Sequence, residues 1–508
     1  MGVLPVVGII TNHSLKLLTK AAFLHEAAFL IDKILKINYI KTTMFKDNMK
    51  KIIVVLIFIS SLGCSSKKDQ DNDVAKPIPE TTTGVPPAVS FQDFQIDLGT
   101  LSNLDSILDD TGVKKLQEKG FRGQNIKIAI FDNGYTGLNH SIGNRLPLGL
   151  SVMPAAGNSL ANTSHGTKMA EIVYAVASGN SIWNESSSGP EILLYNTNGF
   201  TNLKSAVDDV VLRGVDVVLY AQVWEYGDND GTDGFINKVV KKATDKGIIW
   251  INASGNFGDT VYRAKLVFDD KGNVTLPWNE TYLRVHVSAP MTNARIVLAW
   301  NDFDQSPDYQ TPQNLDLSLY DASFKKLGSS EKEQNGGRDK THSAFSAHAR
   351  EILTSNLEAG IYYIAVSAKT RNFDENAQIS IAIDGVGVTL PEATSVDSLM
   401  APAGNPGVLA VGAIDSKLTS VKVVDGELVK PEIFVNSAVR FSDGANHNGT
   451  SAASAILAGA LSVWLSANGK ADLSSIKNAI LSEQIADRAK QFCLNAKSDC
   501  YPVSTLKL

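Results

Sequence analysis

The chain has 508 residues, 44% of them hydrophobic and 20% charged, with a formal net charge of −6. That length and apolar share allow a large buried core spread over two or three domains. The charge is dilute and forms no basic stripe, which argues against a nucleic-acid partner.

Met49-Lys50-Lys51 precedes the apolar run Ile52–Ile59, and Ser60-Ser61-Leu62-Gly63-Cys64 follows. A basic end, a short apolar core and small residues before a cysteine make a secretory signal. The run is too short to span ~30 Å of hydrocarbon as a helix. Ser61-Leu62-Gly63-Cys64 resembles a bacterial lipobox, with Ser61 standing where an aliphatic residue is usual. The resemblance implies cleavage before Cys64 and its lipidation, and so a membrane tether; the alternative is an ordinary secretory signal. Residues 1–48 lie upstream of this complete signal and are expected to be an over-extended start, with Met44 or Met49 the true one. A genuine amphipathic leader is the alternative, since Ala21–Ile37 has helical apolar spacing. A lipidated Cys64 accounts for the odd count of three cysteines. Cys493 and Cys500, with six residues between them, suit a local disulfide in an oxidising compartment, with two free thiols as the alternative.

Residues 65–95 are polar and rich in Pro and Thr, which predicts a disordered tether. Short apolar strands then alternate with helices. Ile126–Phe131, Val215–Tyr220 and Gly247–Asn252 read as buried strands. His165–Ala177 has apolar residues at helical spacing, and Asp233–Lys246 reads as another helix. Alternation of this kind predicts a parallel sheet with helices on both faces. From 274 to 385 the pattern changes to period-two segments separated by turns, among them Tyr282–Ser288, Ala294–Trp300, Leu315–Tyr320, Gly360–Val366 and Ala377–Ile383. That predicts an inserted all-β, jelly-roll-like sandwich. Gly407–Ile414 returns to buried-strand character, and helices around Ser451–Ala467 and Asp472–Ile485 are expected to close the chain.

Four segments carry groups that suit acyl transfer. A serine nucleophile needs a base, a carboxylate to orient that base, and donors for the developing oxyanion. Asp132 ends a strand in Phe131-Asp132-Asn133-Gly134, and strand ends of a parallel sheet are where sites form. His165 opens a helix in Ser164-His165-Gly166-Thr167. Asn256 follows a strand in Ala253-Ser254-Gly255-Asn256. Ser451 opens a helix of small residues in Gly449-Thr450-Ser451-Ala452-Ala453, where free backbone N–H groups and positive partial charge suit an oxyanion. Taken singly, these residues have ordinary readings: a turn, a structural histidine, a second turn and a helix cap.

Their order resembles the subtilase family. That family pairs Asp-(Thr/Ser)-Gly, His-Gly-Thr, a Gly-Asn after a strand, and Gly-Thr-Ser-Met-Ala-Ala-Pro. The Asp–His–Ser order differs from that of chymotrypsin-like enzymes and α/β-hydrolases. Gly214-Val-Asp-Val-Val218, Lys430-Pro431-Glu432-Ile433 and Gly459 add lesser matches, and the resemblance covers 110–270 and 386–487. It implies a subtilisin-like fold, the triad Asp132, His165 and Ser451, and Asn256 as oxyanion donor. Ala221, Gln222, Val223 and Gly255 are then expected to bind substrate backbone.

The chain departs from the family pattern in several places. Asn133 replaces Thr or Ser, Lys168 stands for His, Glu171 for Gly, Ser454 for Ala and Ala455 for Pro. Ala221-Gln222-Val223-Trp224 replaces the usual Ser-Leu-Gly-Gly, which leaves substrate preference and efficiency open. Trp300–Asp304 and Asn314–Leu317 resemble β-sandwich domains appended to other secreted subtilases. Their carboxylates Asp302, Asp304 and Asp316 are candidates for a structural Ca²⁺, with solvated strand-end carboxylates the preferred reading. His140 is expected to be structural and His447 to sit at the rim of the site.

The expected organisation is a start region 1–48, a signal 49–64, a tether 65–95, a catalytic domain in two parts, 96–273 and 386–508, and the sandwich 274–385 between them. The expected function is a monomeric serine endopeptidase, tethered to a bacterial envelope and needing no cofactor, that acts on protein or peptide substrates. The alternative is a non-enzymatic surface binding protein on the same frame, with a glycan-binding role for the sandwich as a third reading.

Overall fold

The computed structural model describes residues 101–508, apart from 154–162, 180–188, 228–232, 271, 305, 307, 308, 335–347, 483–485 and 495–499. The expected start region, signal, lipid site at Cys64 and tether lie outside the described residues.

The strand Lys127–Asp132 shows how the main sheet is built. Its side chains alternate between two apolar clusters: Ile128 and Ile130 enter one, Ala129 and Phe131 the other. A strand buried on both faces has no polar side, which is why its sequence runs apolar. Nine strands form the sheet, in the order Ser151–Met153, Glu191–Asn196, Lys127–Asp132, Val217–Tyr220, Ile249–Ala253, Val408–Ala413, Ile433–Val435, Cys500–Leu506 and Ala486–Cys493. All neighbours pair in parallel except the last two, which are antiparallel.

Helices cover both faces. Leu104–Thr111, His165–Ser178 and Thr450–Asn468 supply the first cluster, and Phe200–Arg213 with Gly234–Thr244 supply the second. Thr450–Asn468 is long and apolar enough to cross a membrane, yet 78% of its apolar window is buried inside the protein. A helix apolar all round belongs in a core of this kind.

Lys127–Asp132 lies between Glu191–Asn196 and Val217–Tyr220, so the strand order reverses beside it. Crevices open at the carboxyl ends of strands at such a switch point. Asp132 is the last residue of that strand.

The C-terminus differs from expectation. The second closing helix ends at Leu481, and the chain finishes in the hairpin Ala486–Cys493 and Cys500–Leu506, which extends the main sheet. The polar residues Asp487, Lys490 and Gln491 hide the strand, because an edge position leaves part of it in water. Cys493 and Cys500 face each other in register and form a disulfide.

Between 261 and 389 lie two antiparallel sheets. Five strands run in the order Lys326–Ser330, Leu315–Asp321, Gly360–Ala368, Leu283–Val287 and Val388–Thr389; four run in the order Arg350–Leu357, Met291–Trp300, Gln378–Asp384 and Val261–Lys265. Leu283, Val285, Leu317, Leu319 and Ile364 of the first sheet share one apolar cluster with Ile296, Leu298, Ile379 and Ile381 of the second. The antiparallel pairing begins at Val261, ahead of the expected boundary at 274, and reaches Thr389, beyond 385. Val261–Lys265 is too short and too charged at its far end for the alternation to show in sequence.

The four-stranded sheet also uses its outer face. Ala299 packs with Tyr226, Phe235 and Ile236, while Ala382 packs with Phe257 and Met400. Period-two alternation therefore sends one set of side chains into the antiparallel core and the other onto the parallel domain.

Candidate active site

The Asp132 side chain is fully buried at the carboxyl end of its strand. A buried carboxylate needs donors. Its Oδ2 lies 2.7 Å from His165 Nδ1, and its Oδ1 accepts from Asn133 N at 2.8 Å and Gln222 Nε2 at 3.4 Å. An ionised carboxylate only accepts, so Nδ1 carries the proton and Nε2 is left as the basic nitrogen. Burial opposes the imidazolium, but the charge and hydrogen bond of Asp132 outweigh it and raise the His165 pKa above the ordinary histidine value. His165 remains 27% exposed, so one side of the ring is open to solvent.

Gly166 explains why the histidine helix begins with His-Gly. A Cβ there would lie 2.7 Å from Asp132 Cβ and 2.7 Å from the Gly134 carbonyl oxygen. Any side chain would push the helix start away and break the His165–Asp132 contact.

Ser451 is the second residue of the helix Thr450–Asn468. Its hydroxyl donates to the Ala221 carbonyl oxygen at 3.0 Å, and no hydrogen bond joins it to His165 among the described residues.

Asn256 is held from the same helix. Its Oδ1 accepts from Thr450 N at 3.1 Å and from Thr450 Oγ1 at 3.2 Å. With Oδ1 engaged, the NH₂ end is left as a donor. Thr450 Oγ1 also accepts from Gly255 N at 3.3 Å, tying both residues to the start of the serine helix. Gly449 has φ +91°, and a Cβ there would sit 3.1 Å from Asn256 Oδ1. Glycine provides both the backbone conformation and the space.

One cleft of about 740 Å³ contains Ser451, Thr450, Asn256 and Gly255, together with Ala221, Gln222, Val223 and Trp224. Gln222 reaches back to Asp132, and Asn252 Nδ2 donates to the Gln222 carbonyl at 3.0 Å. The Trp224 indole donates to Tyr220 Oη at 2.8 Å, and its backbone N donates to Ala401 O at 2.8 Å. The far wall comes from the four-stranded sheet: Arg295, Arg350, Ile352 and Asp384, with His348 just before Arg350. No local sequence signal marks these residues, because they reach the cleft only through packing of the sheet's outer face.

Several charged residues around the site have clear partners. Glu171 is buried, accepts from Ser141 Oγ at 2.5 Å, and lies 3.4 Å from Lys168 and 3.6 Å from Arg145. Lys168 Nζ sits 4.0 Å from the centre of the Phe441 ring. Glu432 bonds Lys430 at 2.6 Å and Lys477 at 2.8 Å, and accepts from Ala410 N at 2.9 Å. These two lysines hold its carboxyl below its ordinary value despite burial, which works the other way.

His140 is exposed on the short helix Leu138–Ser141, and the imidazole that meets Asp132 is that of His165. His447, expected at the rim, has its ring centre 6.0 Å from that of His165. Burial, His165 and Lys168 push its pKa down.

The candidate calcium ligands stay apart. Asp302 accepts from Tyr309 Oη and Thr311 Oγ1, Asp304 from Ser306 N, and Asp316 pairs with Lys369 at 2.9 Å. Among the described residues no three His, Cys, Asp or Glu side chains gather as metal ligands.

No protein-family model matches the chain, and no curated protein matches it. Among solved structures, the CspB protease of Clostridium perfringens aligns over 80% of this chain and 97% of its own, at 15% identity and a TM-score of 0.49.

Proposed function

We propose that this chain is a subtilisin-like serine endopeptidase. The observation that carries the reading is the 2.7 Å Asp132–His165 pair at the switch point of the sheet, next to the cleft that Ser451 and Asn256 share. In the proposed reaction Ser451 turns about its Cα–Cβ bond, leaves the Ala221 carbonyl and donates to His165 Nε2. The base takes the hydroxyl proton as Oγ bonds the scissile carbonyl carbon. Asp132 keeps the ring oriented and stabilises the imidazolium. The oxyanion receives the Asn256 Nδ2–H and the Ser451 backbone N–H, one of the free donors in the first turn of its helix. His165 then protonates the leaving amine, the C–N bond breaks, and water repeats the sequence on the acyl-enzyme. Casein hydrolysis by the wild type and its loss in Ser451→Ala tests the reading; equal rates would remove it.

A second reading is a non-enzymatic binding protein on the same frame. What favours it is the Ser451 hydroxyl resting on Ala221 rather than on His165. A fluorophosphonate separates the two, since it labels only an activated serine.

Envelope tethering is part of the same proposal and rests on the motif ending at Cys64. Incorporation of labelled palmitate into the wild type but not into Cys64→Ser supports it, and equal incorporation counts against it.

A further inference from the structure

The far wall of the cleft carries four ionisable side chains that differ in how they are neutralised. Arg295 pairs with Glu225 and stands opposite Asp384 in the strand register. Opposite charges facing across a strand pair attract. Arg350 has no carboxylate in ion-pair contact among the described residues. Its guanidinium lies 3.9 Å from the centre of the Tyr226 ring instead. His348 stacks on Phe235 at 4.9 Å and adds no charge at neutral pH, because burial and Arg350 push its pKa down to about 4. Burial also lifts the Glu225 carboxyl above its ordinary value, although Arg295 opposes the shift. Two guanidiniums and two carboxylates thus line the cleft, and Arg350 is the cation among them with no ion-pair contact to a carboxylate among the described residues.

We propose that Arg350 is a specificity residue, and that the cleft takes an acidic side chain from the substrate residue that carries the scissile carbonyl. This deepens the peptidase reading and rests on it. A guanidinium resting beside an aromatic ring can still offer N–H groups to a carboxylate, which it meets in two parallel bonds. Gln222, Val223 and Trp224 line the near side and Arg350 the far side of one cavity of about 740 Å³, ample for a Glu or Asp side chain. The antiparallel sheets would thus contribute directly to substrate choice.

The test is a fluorogenic peptide library on the full chain, varied only at the residue before the cleaved bond. Wild type should favour Glu or Asp over Leu and Lys by roughly 10- to 100-fold in kcat/KM, the scale of a hydrogen bond to a charged group. Arg350→Glu should favour Lys, and Arg350→Gln should lose the acidic preference. Wild-type preference for Leu, Phe or Lys overturns the proposal. So does an unchanged ranking in Arg350→Gln with a wild-type melting curve. Wild type that cleaves no library member and never labels at Ser451 with a fluorophosphonate overturns the peptidase reading, and this inference with it.

Discussion

Thr450 fixes the side chain of Asn256: its backbone N and its hydroxyl both donate to Asn256 Oδ1, at 3.1 and 3.2 Å. The residue before the proposed nucleophile thus aims the amide that would meet the oxyanion. Asn256→Ala should lower kcat by about 10²–10³ with little change in KM, because the lost bond matters most in the transition state. Thr450→Val keeps the backbone donor and should cost roughly 2- to 10-fold. Steady-state kinetics on one peptide checks both.

In the proposed reaction Asp132 would set the pH dependence. The neutral His165 imidazole would be the base, so activity should fall as pH drops through its pKa. That pKa is raised, so the acid limb of kcat/KM should lie above 6.5. Asp132→Asn removes the charge that raises it; the limb should move down and kcat should fall by about 10⁴-fold. A wild-type limb well below the ordinary histidine value would contradict the assignment.

Gly449→Ala places a Cβ at φ +91° and 3.1 Å from Asn256 Oδ1. The strain should cost about 1–3 kcal/mol of stability, and kcat should fall as Asn256 is displaced. Urea unfolding and kinetics on the same preparation measure the two effects.

Glu432 compensates two lysines, one of them buried. Glu432→Ala leaves Lys430 without its counter-charge and should destabilise the protein by about 3 kcal/mol. Urea unfolding checks it, with Glu427→Ala, an exposed site, as the neutral comparison.

What the sequence showed was local. Asp132 at a strand end, His165 at a helix start and the small residues after Ser451 each mark their own element locally, but only their order along the chain, through its family resemblance, pointed to a common site. The Ala486–Cys493 strand escaped because an edge strand has no buried alternation to betray it. Arg350 and His348 escaped for another reason. Their place in the cleft follows from which outer face of a sheet meets Tyr226 and Phe235, a contact between residues more than a hundred positions apart. The substituted substrate strand was visible in sequence, but not that Gln222 bonds Asp132 or that Trp224 turns to Tyr220.

The most direct test is fluorophosphonate labelling of the folded wild type, with the modified residue located by peptide mapping. A single adduct on Ser451, lost in His165→Ala and slowed at acid pH, is the predicted result. A folded protein that takes up no probe at any pH, or takes it up at another serine, would contradict the assignment of Ser451 as nucleophile.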